Sequence, residues 1–165
     1  MRRVTDRHAR LVAVDLGVRT GVAVFDGEGR LVSVGSRNLG RRGQVRGLAT
    51  ALRRELGRVD ALILEGDRTL APGWRRAFEP RGTEVVLVEA QRWRQALLHP
   101  RERRDARTAK AAARGLAAVA VGVLSERPAS GLRHDAAEAV LIGVWGLREL
   151  GWIDAWPPGL DPRRR

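Results

Sequence analysis

The chain has 165 residues, no cysteine and a formal net charge of +12. The length suits a single domain with its own core, and the missing cysteine excludes a disulfide framework and a thiolate zinc site. No apolar run reaches the roughly 18 residues of a membrane span, so we expect a cytoplasmic protein, and its positive charge favours nucleic acid as the partner.

The first third of the chain is predicted to contain a three-stranded antiparallel meander. Apolar runs and a Gly-Glu-Gly turn at 27–29 predict strands over 11–16, 20–26 and 30–36. Valine and leucine then recur at spacings of three and four residues, which predicts an amphipathic helix over 43–57.

The rest of the chain is predicted to alternate between strands and helices. In chain order we predict a strand over 60–66, a helix over 68–80, a strand over 84–89, a loop containing Trp93 and Pro100, and helices over 105–124 and 134–150. This order predicts an α/β fold with a mixed five-stranded sheet and helices on both faces. We expect one domain over 1–158 and a short basic tail over 159–165 with a mobile end.

Four acidic residues stand at positions from which their carboxylates could converge on one point. Asp15 lies on the first predicted strand, and Glu65 lies near the end of the fourth. Asp135 and Glu138 are three residues apart and therefore share one face of the last predicted helix. Converging carboxylates repel one another unless cations neutralise them, and oxygen ligands suit Mg²⁺ or Mn²⁺. Asp67, two residues past Glu65, is a spare candidate ligand that could equally lie on the surface.

Each of the four also has a purely structural explanation. Asp15, close before Gly17, could be a turn residue, and Glu65 could be a solvated strand end. Asp135 could favour the helix dipole, with Glu138 in a capping box. We favour a site because all four occur together.

The segments that carry these acids resemble the RNase H-like nucleases, and within them the RuvC-type Holliday junction resolvases. Residues 14–23 (VDLGVRTGVA) are similar to the family's first strand, 62–65 (LILE) to its glutamate-bearing strand, and 134–143 (HDAAEAVLIG) to its helix motif. The sequence departs from the family at Glu138, where an aspartate is usual. His134 is similar to an active-site histidine of some relatives, although the spacing differs.

The resemblance implies an RNase H-like fold and phosphodiester hydrolysis by two metal ions. Asp15, Glu65, Asp135 and Glu138 would hold two Mg²⁺ ions about 3.5–4 Å apart, with Asp15 bridging them and Mn²⁺ as a substitute. It also implies products with a 5′ phosphate and a 3′ hydroxyl, a branched DNA substrate and no small-molecule cofactor. A homodimer is implied because a four-way junction needs two symmetric cuts.

Two basic clusters are predicted to contact DNA phosphates, although each could instead be a solvated face. The first is a stripe on the helix starting near residue 105 and comprises Arg103, Arg107, Lys110 and Arg114. The second has no acidic residue within 37–46 and includes Arg37, Arg41 and Arg42. Trp93 lies between two arginines, as in similar segments of phage-type relatives, and could stack on a base or cover the edge of the core.

Three other interpretations remain open. YqgF-type RNA-processing nucleases share a similar first strand, but usually carry a late acidic Asp-Glu-x-x-Thr-Thr segment that is absent here. The first strand also resembles the phosphate loop of actin or sugar-kinase type ATPases, but those need two such lobes and 165 residues hold only one. A nucleic-acid binding module without catalysis would not need four acids. Cleavage of a synthetic four-way junction with and without Mg²⁺ discriminates among them.

Overall fold

The computed structural model describes residues 6–126 and 131–165. The first five residues of the predicted domain and residues 127–130 lie outside the described part. The strands are β1 (Arg10–Leu16), β2 (Arg19–Asp26), β3 (Leu31–Asn38), β4 (Ala61–Gly66) and β5 (Glu84–Val88). The helices are α1 (Val45–Leu56), α2 (Ala71–Phe78), α3 (Ala90–Leu97), α4 (Ala106–Leu124) and α5 (His134–Glu149).

The five strands form one mixed sheet in the order β3-β2-β1-β4-β5. The pairs β1–β2 and β2–β3 are antiparallel, whereas β1–β4 and β4–β5 are parallel. The predicted meander followed by parallel crossovers is therefore confirmed. Strand β1 lies at the centre of the sheet, because the crossover through α1 places β4 along the edge of β1 that β2 leaves free.

Helices cover both faces of the sheet, as predicted. Side chains alternate between faces along a strand, so Leu11 and Ala13 of β1 pack with α3, α4 and α5. Val12 and Val14 point the other way and pack with α1 and α2. Asp15 of β1 and Glu65 of β4 continue the alternation of the residues that pack with α3, α4 and α5. Both acids therefore project to that face of the sheet, under α5.

Helix α5 lies unusually close to the sheet because glycines take the contact positions. A Cβ atom added at Gly143 would lie 2.1 Å from the Phe25 ring, and one at Gly146 would lie 2.7 Å from the Ile63 side chain. The helix is apolar nearly all round and is buried from Asp135 to Leu147. Its close approach lets the side chains of its first two turns reach the sheet.

Two predictions about the segment after β5 were wrong. The predicted loop with Trp93 contains helix α3, in which the buried residues Trp93 and Leu97 are one turn apart. Only these two large apolar side chains mark the helix, so its periodicity was too short to recognise. Arg103 does not belong to the long helix: it ends a short 3₁₀ turn over 100–103, and α4 begins only after Asp105, which accepts a hydrogen bond from the Thr108 backbone N–H.

The basic segment after residue 158 packs on the domain. Leu160 is fully buried and belongs to the core beneath α4 and α5. Arg165 donates to the Leu97 carbonyl and lies 3.4 Å from the Glu102 carboxylate. The end of the predicted tail therefore contacts the domain. Within the described ranges, no helix combines the length and the apolar character needed to cross a membrane.

Candidate metal centre

Strands β1 and β4 place two carboxylates side by side. Asp15 is the register partner of Glu65 in the parallel pair, and of Gly21 in the antiparallel pair with β2. The three residues form one row across the sheet. Because aligned partners project to the same face, Asp15 and Glu65 both face the layer of α3, α4 and α5.

Helix α5 lies directly over this row, and Gly21 makes that possible. A Cβ atom at Gly21 would lie 1.9 Å from the backbone carbonyl oxygen of Asp135. Any larger residue would push the start of α5 away from β2. The absent side chain therefore sets the height at which Asp135 and Glu138 stand over Asp15.

Three of the four predicted acids offer oxygen atoms at one point. Carboxylate oxygens of Asp15, Glu65 and Glu138 all lie within 4.8 Å of one another. Asp135 stands beside this group rather than within it, but its charge still acts on Asp15. Its Oδ2 atom is buried and makes no hydrogen bond with the described residues. We call these four residues the carboxylate cluster.

Burial and mutual repulsion shift the ionisation of the cluster. The pKa of Asp15 is raised to about 8, first by burial and then by the charges of Glu138, Glu65 and Asp135. The pKa of Glu65 is also raised, by burial and by Glu138, while Arg94 and Trp93 oppose the shift. The raised pKa of Asp15 indicates that Arg94 alone does not compensate the negative charge of the cluster.

Arg94 and His134 both lie next to the Glu138 carboxylate. His134 was singled out from the sequence only through its likeness to a histidine of some relatives, and Arg94 was not singled out. The Arg94 Nη2 atom donates to Glu138 Oε1 at 2.6 Å, and His134 Nε2 lies 3.5 Å from Glu138 Oε2. Arg94 was missed because α3 was not recognised. The signal available in the sequence was its position next to Trp93. In the structure its guanidinium lies 5.2 Å from the centroid of that ring.

Trp93 cannot stack on a base in this structure. Its side chain is 0% exposed and belongs to the core that α3, α4 and α5 share with the sheet. The alternative, that it covers the edge of the core, describes it better. Its indole nitrogen lacks a well-aligned hydrogen-bond acceptor, yet lies near enough to Glu65 to lower the pKa of that carboxyl.

The structure supports one of the structural explanations for the acids. Asp135 lies in the first turn of α5, where the helix dipole favours a negative charge. Asp15 lies within β1 rather than in a turn, and Glu65 is buried rather than solvated. Helix α5 begins after Arg133 with no side-chain hydrogen bond to its first turn, so Glu138 forms no capping box. Asp67, the spare candidate ligand, accepts hydrogen bonds from Arg42 and Thr69 on the surface. It does not join the carboxylate cluster.

The predicted DNA-contacting cations lie on exposed surface. Arg107, Lys110 and Arg114 are exposed on α4, which packs against α5 on the carboxylate side of the sheet. Arg37 and Arg41 are exposed near the end of the edge strand β3. Arg42 is less available than predicted, because it forms an ion pair with Asp67 at 2.5 Å.

The donor set of the cluster suits a hard divalent cation. It offers only carboxylate oxygens, without the sulfur or clustered imidazole donors that favour zinc or copper. A cation between these groups would give the unpaired Asp135 oxygen a partner. It would also favour the ionised form of Asp15, whose pKa is raised without it. The residues therefore fit Mg²⁺ or Mn²⁺.

The comparisons with known proteins establish no family. A scan against protein-family models finds no match. A search of curated proteins finds none either. Among solved structures, one similar chain belongs to the cryo-electron microscopy structure of a simian T-cell lymphotropic virus intasome in complex with PP2A regulatory subunit B56 gamma. It is 11% identical with a TM-score of 0.36, and the match covers 87% of this chain but only 50% of that one.

Proposed function

We propose that this protein is a metal-dependent endonuclease that cuts branched DNA, in particular four-way junctions. The observation that carries the proposal is the convergence of Asp15, Glu65 and Glu138, with Asp135 beside them, in a strongly basic chain. The acids come from two neighbouring strands and one helix. A solvated surface would not bury three of them.

The architecture supports an RNase H-like assignment. Its sheet has a central β1 flanked by a meander on one side and parallel strands on the other, with helices on both faces. The three segments that resemble the RuvC-type resolvases are the ones that meet at the carboxylate cluster. Their meeting at one point is what the resemblance implies, and it supports the assignment.

The side chains have distinct roles in this proposal. Asp15, Glu65, Asp135 and Glu138 would hold two divalent cations, which would supply an activated water and stabilise the leaving 3′ oxygen. Arg94 orients Glu138 through the 2.6 Å hydrogen bond between them. Trp93 and the α5 layer exclude bulk water from one side, which strengthens electrostatic interactions within the site. The products carry a 5′ phosphate and a 3′ hydroxyl.

The surface charges support a nucleic-acid substrate. Arg107, Lys110 and Arg114 line α4 on the carboxylate side, where they can contact phosphates of the bound strands. Two symmetric cuts in a four-way junction require two active sites. We therefore propose that the protein acts as a homodimer.

A cleavage assay tests the proposal directly. Purified protein is incubated with four-way, three-way and linear duplex DNA, and with RNA of the same sequences, with EDTA, Mg²⁺ or Mn²⁺. We expect Mg²⁺-dependent cleavage that favours the four-way junction and disappears in Asp15→Asn. Cleavage of RNA alone would favour the YqgF-type alternative. Binding to all DNA forms without any metal-dependent cleavage would instead indicate a non-catalytic module.

A further inference from the structure

A polar groove beside the carboxylate cluster has no role in the function described so far. It has a volume of about 400 Å³ and lies between α3 and the start of α4. Its lining comprises Gln91, Arg94, Gln95, Arg103, Asp105 and the small residues Ala106 and Ala109. Arg94 lines the groove and also donates to Glu138, so the groove and the cluster share this residue.

The groove presents hydrogen-bond donors that nothing in the described chain uses. Gln91 and Gln95 are exposed and one turn apart on α3, so their amides project along the same wall. Arg103 is exposed on the opposite wall, at the end of the 3₁₀ turn. The Nε atom of Arg94 is buried and makes no hydrogen bond to any described residue. A guanidinium has five N–H donors, and Glu138 engages only part of that capacity.

The single acid of the groove is already committed within α4. Asp105 accepts hydrogen bonds from the backbone N–H and the hydroxyl of Thr108, both at 2.8 Å. These bonds hold its carboxylate at the helix N-terminus and lower its pKa. The accessible side of the groove therefore carries two cations and two amides, and its floor is formed by alanines that leave room for a ligand.

We propose that this groove binds the backbone phosphate adjacent to the scissile one, on the DNA strand that is cut. Phosphate oxygens take hydrogen bonds from guanidinium and amide groups together, which is the donor set found here. Arg94 then joins the two sites, because it contacts the phosphate on one side and Glu138 on the other. This inference rests on the proposed nuclease function, which supplies the identity of the strand.

Two matched arginines of one 3₁₀ turn provide the first test. Arg103 lines the groove, whereas Arg101, two residues earlier and also exposed, does not. Binding of a fluorescent four-way junction is measured by anisotropy in EDTA over a series of salt concentrations. We expect Arg103→Ala to weaken binding severalfold and to reduce the slope of log K against log salt by about 0.9. Arg101→Ala should change neither quantity. Equal effects of the two changes would overturn the proposal.

The amides give a second and different signature. The double change Gln91→Ala and Gln95→Ala removes neutral donors, so affinity should fall while the salt slope stays at the wild-type value. Alanine favours helix, and circular dichroism checks that α3 persists. Unchanged affinity in the folded double variant would show that the strand does not enter the groove.

Crosslinking separates failure of the groove from failure of the nuclease. The chain has no cysteine, so a photoreactive maleimide can be attached at Gln95→Cys alone, with Ala51→Cys on the exposed side of α1 as the control. We expect crosslinks from position 95, but not from 51, at the nucleotide next to the cleaved bond. Crosslinks elsewhere on the DNA, or none, would refute the groove assignment even where cleavage is intact. Crosslinks from position 95 but not from 51, without any Mg²⁺-dependent cleavage, would keep the groove as a DNA-binding site and would contradict the proposed nuclease activity.

Discussion

Asp15 and Glu65 are direct register partners across the parallel pair of β1 and β4, although 50 residues separate them in sequence. The backbone hydrogen bonds of the ladder hold the two carboxylates together, and α5 then adds Glu138 from above. Their repulsion is therefore built into the fold. The sheet cannot relieve it without losing its register, whereas protonation of Asp15 or a bound cation can.

The raised pKa of Asp15 predicts that this site opposes folding as pH rises. The unfolded chain ionises Asp15 near 3.8, whereas the folded protein keeps the proton up to about pH 8. In EDTA the free energy of unfolding should therefore fall as pH rises from about 4 through about 8. Asp15→Asn should remove this loss and be more stable than the wild type near pH 8, by on the order of a few kcal/mol, since one pKa unit corresponds to about 1.4 kcal/mol.

Urea denaturation of the wild type and Asp15→Asn near pH 5 and near pH 8 measures this difference. Mg²⁺ should stabilise the wild type most at the higher pH and should stabilise the variant less. A stability gap that does not widen with pH would mean that the carboxylates are farther apart in solution than in this structure.

The carboxylate cluster should be separable from DNA binding. We expect Asp15→Asn and Glu65→Gln to abolish cleavage, and Asp135→Asn to do the same, while junction affinity stays within about twofold, because binding rests on phosphate contacts. Gel-shift titration in EDTA and cleavage in Mg²⁺ give the two readouts. Turnover like that of the wild type in Asp15→Asn would end the two-metal assignment.

Gly21 should be essential for placing α5. Gly21→Ala puts a Cβ atom 1.9 Å from the Asp135 carbonyl oxygen, so α5 must shift, at a cost of about 1–3 kcal/mol. Cleavage should fall sharply, because Asp135 and Glu138 move with the helix. Gly35→Ala is the matched control, since that strand glycine has no atom within 4 Å of its added Cβ. Equal thermal stability and activity of the two variants would contradict the close approach.

Arg94 should matter more than its neighbour Arg92. Arg94→Ala leaves the 8% exposed side chain of Glu138 without its 2.6 Å partner, which should cost up to about 3 kcal/mol, the lower end for breaking a buried pair. Arg92→Ala breaks the more exposed 2.7 Å pair with Glu149 and should cost at most about 1 kcal/mol.

Mg²⁺ should partly compensate for the loss of Arg94. The freed Glu138 carboxylate then keeps only His134 beside it, at 3.5 Å, and gains more from a bound cation, so the Mg²⁺-induced rise in Tm should be larger in Arg94→Ala than in the wild type. Differential scanning fluorimetry with and without Mg²⁺ measures this. An equal rise in both proteins would show that Glu138 does not contact the metal.

The α4 stripe should supply affinity without discriminating among DNA forms. The triple change of Arg107, Lys110 and Arg114 to alanine should weaken binding to every DNA and reduce the salt slope by about 0.9 per lost phosphate contact. The matched control replaces three exposed arginines of the opposite face, Arg54, Arg76 and Arg81. If both triple variants lose affinity equally, the effect comes from net charge and the stripe is a solvated face.

The sequence by itself determined the strand order, the long helices and the four acids. Local periodicity marks these elements because each one buries a regular apolar face: β4 is apolar up to Glu65, and α5 is apolar nearly all round. The acids stand out in such segments because a charge at the end of a buried run needs a reason. The sequence did not identify α3, whose eight residues contain only two large buried side chains.

Only the tertiary structure decided which groups meet. The register of β1 with β4 pairs Asp15 with Glu65, and the missing side chain of Gly21 sets the height of α5. It also decided between the two positions open to Trp93 by placing it in the core, and it brought Arg94 to Glu138. Such contacts depend on the packing of segments far apart in the chain, where ångström-scale distances follow from the shapes of all the intervening side chains rather than from the pattern of any one segment.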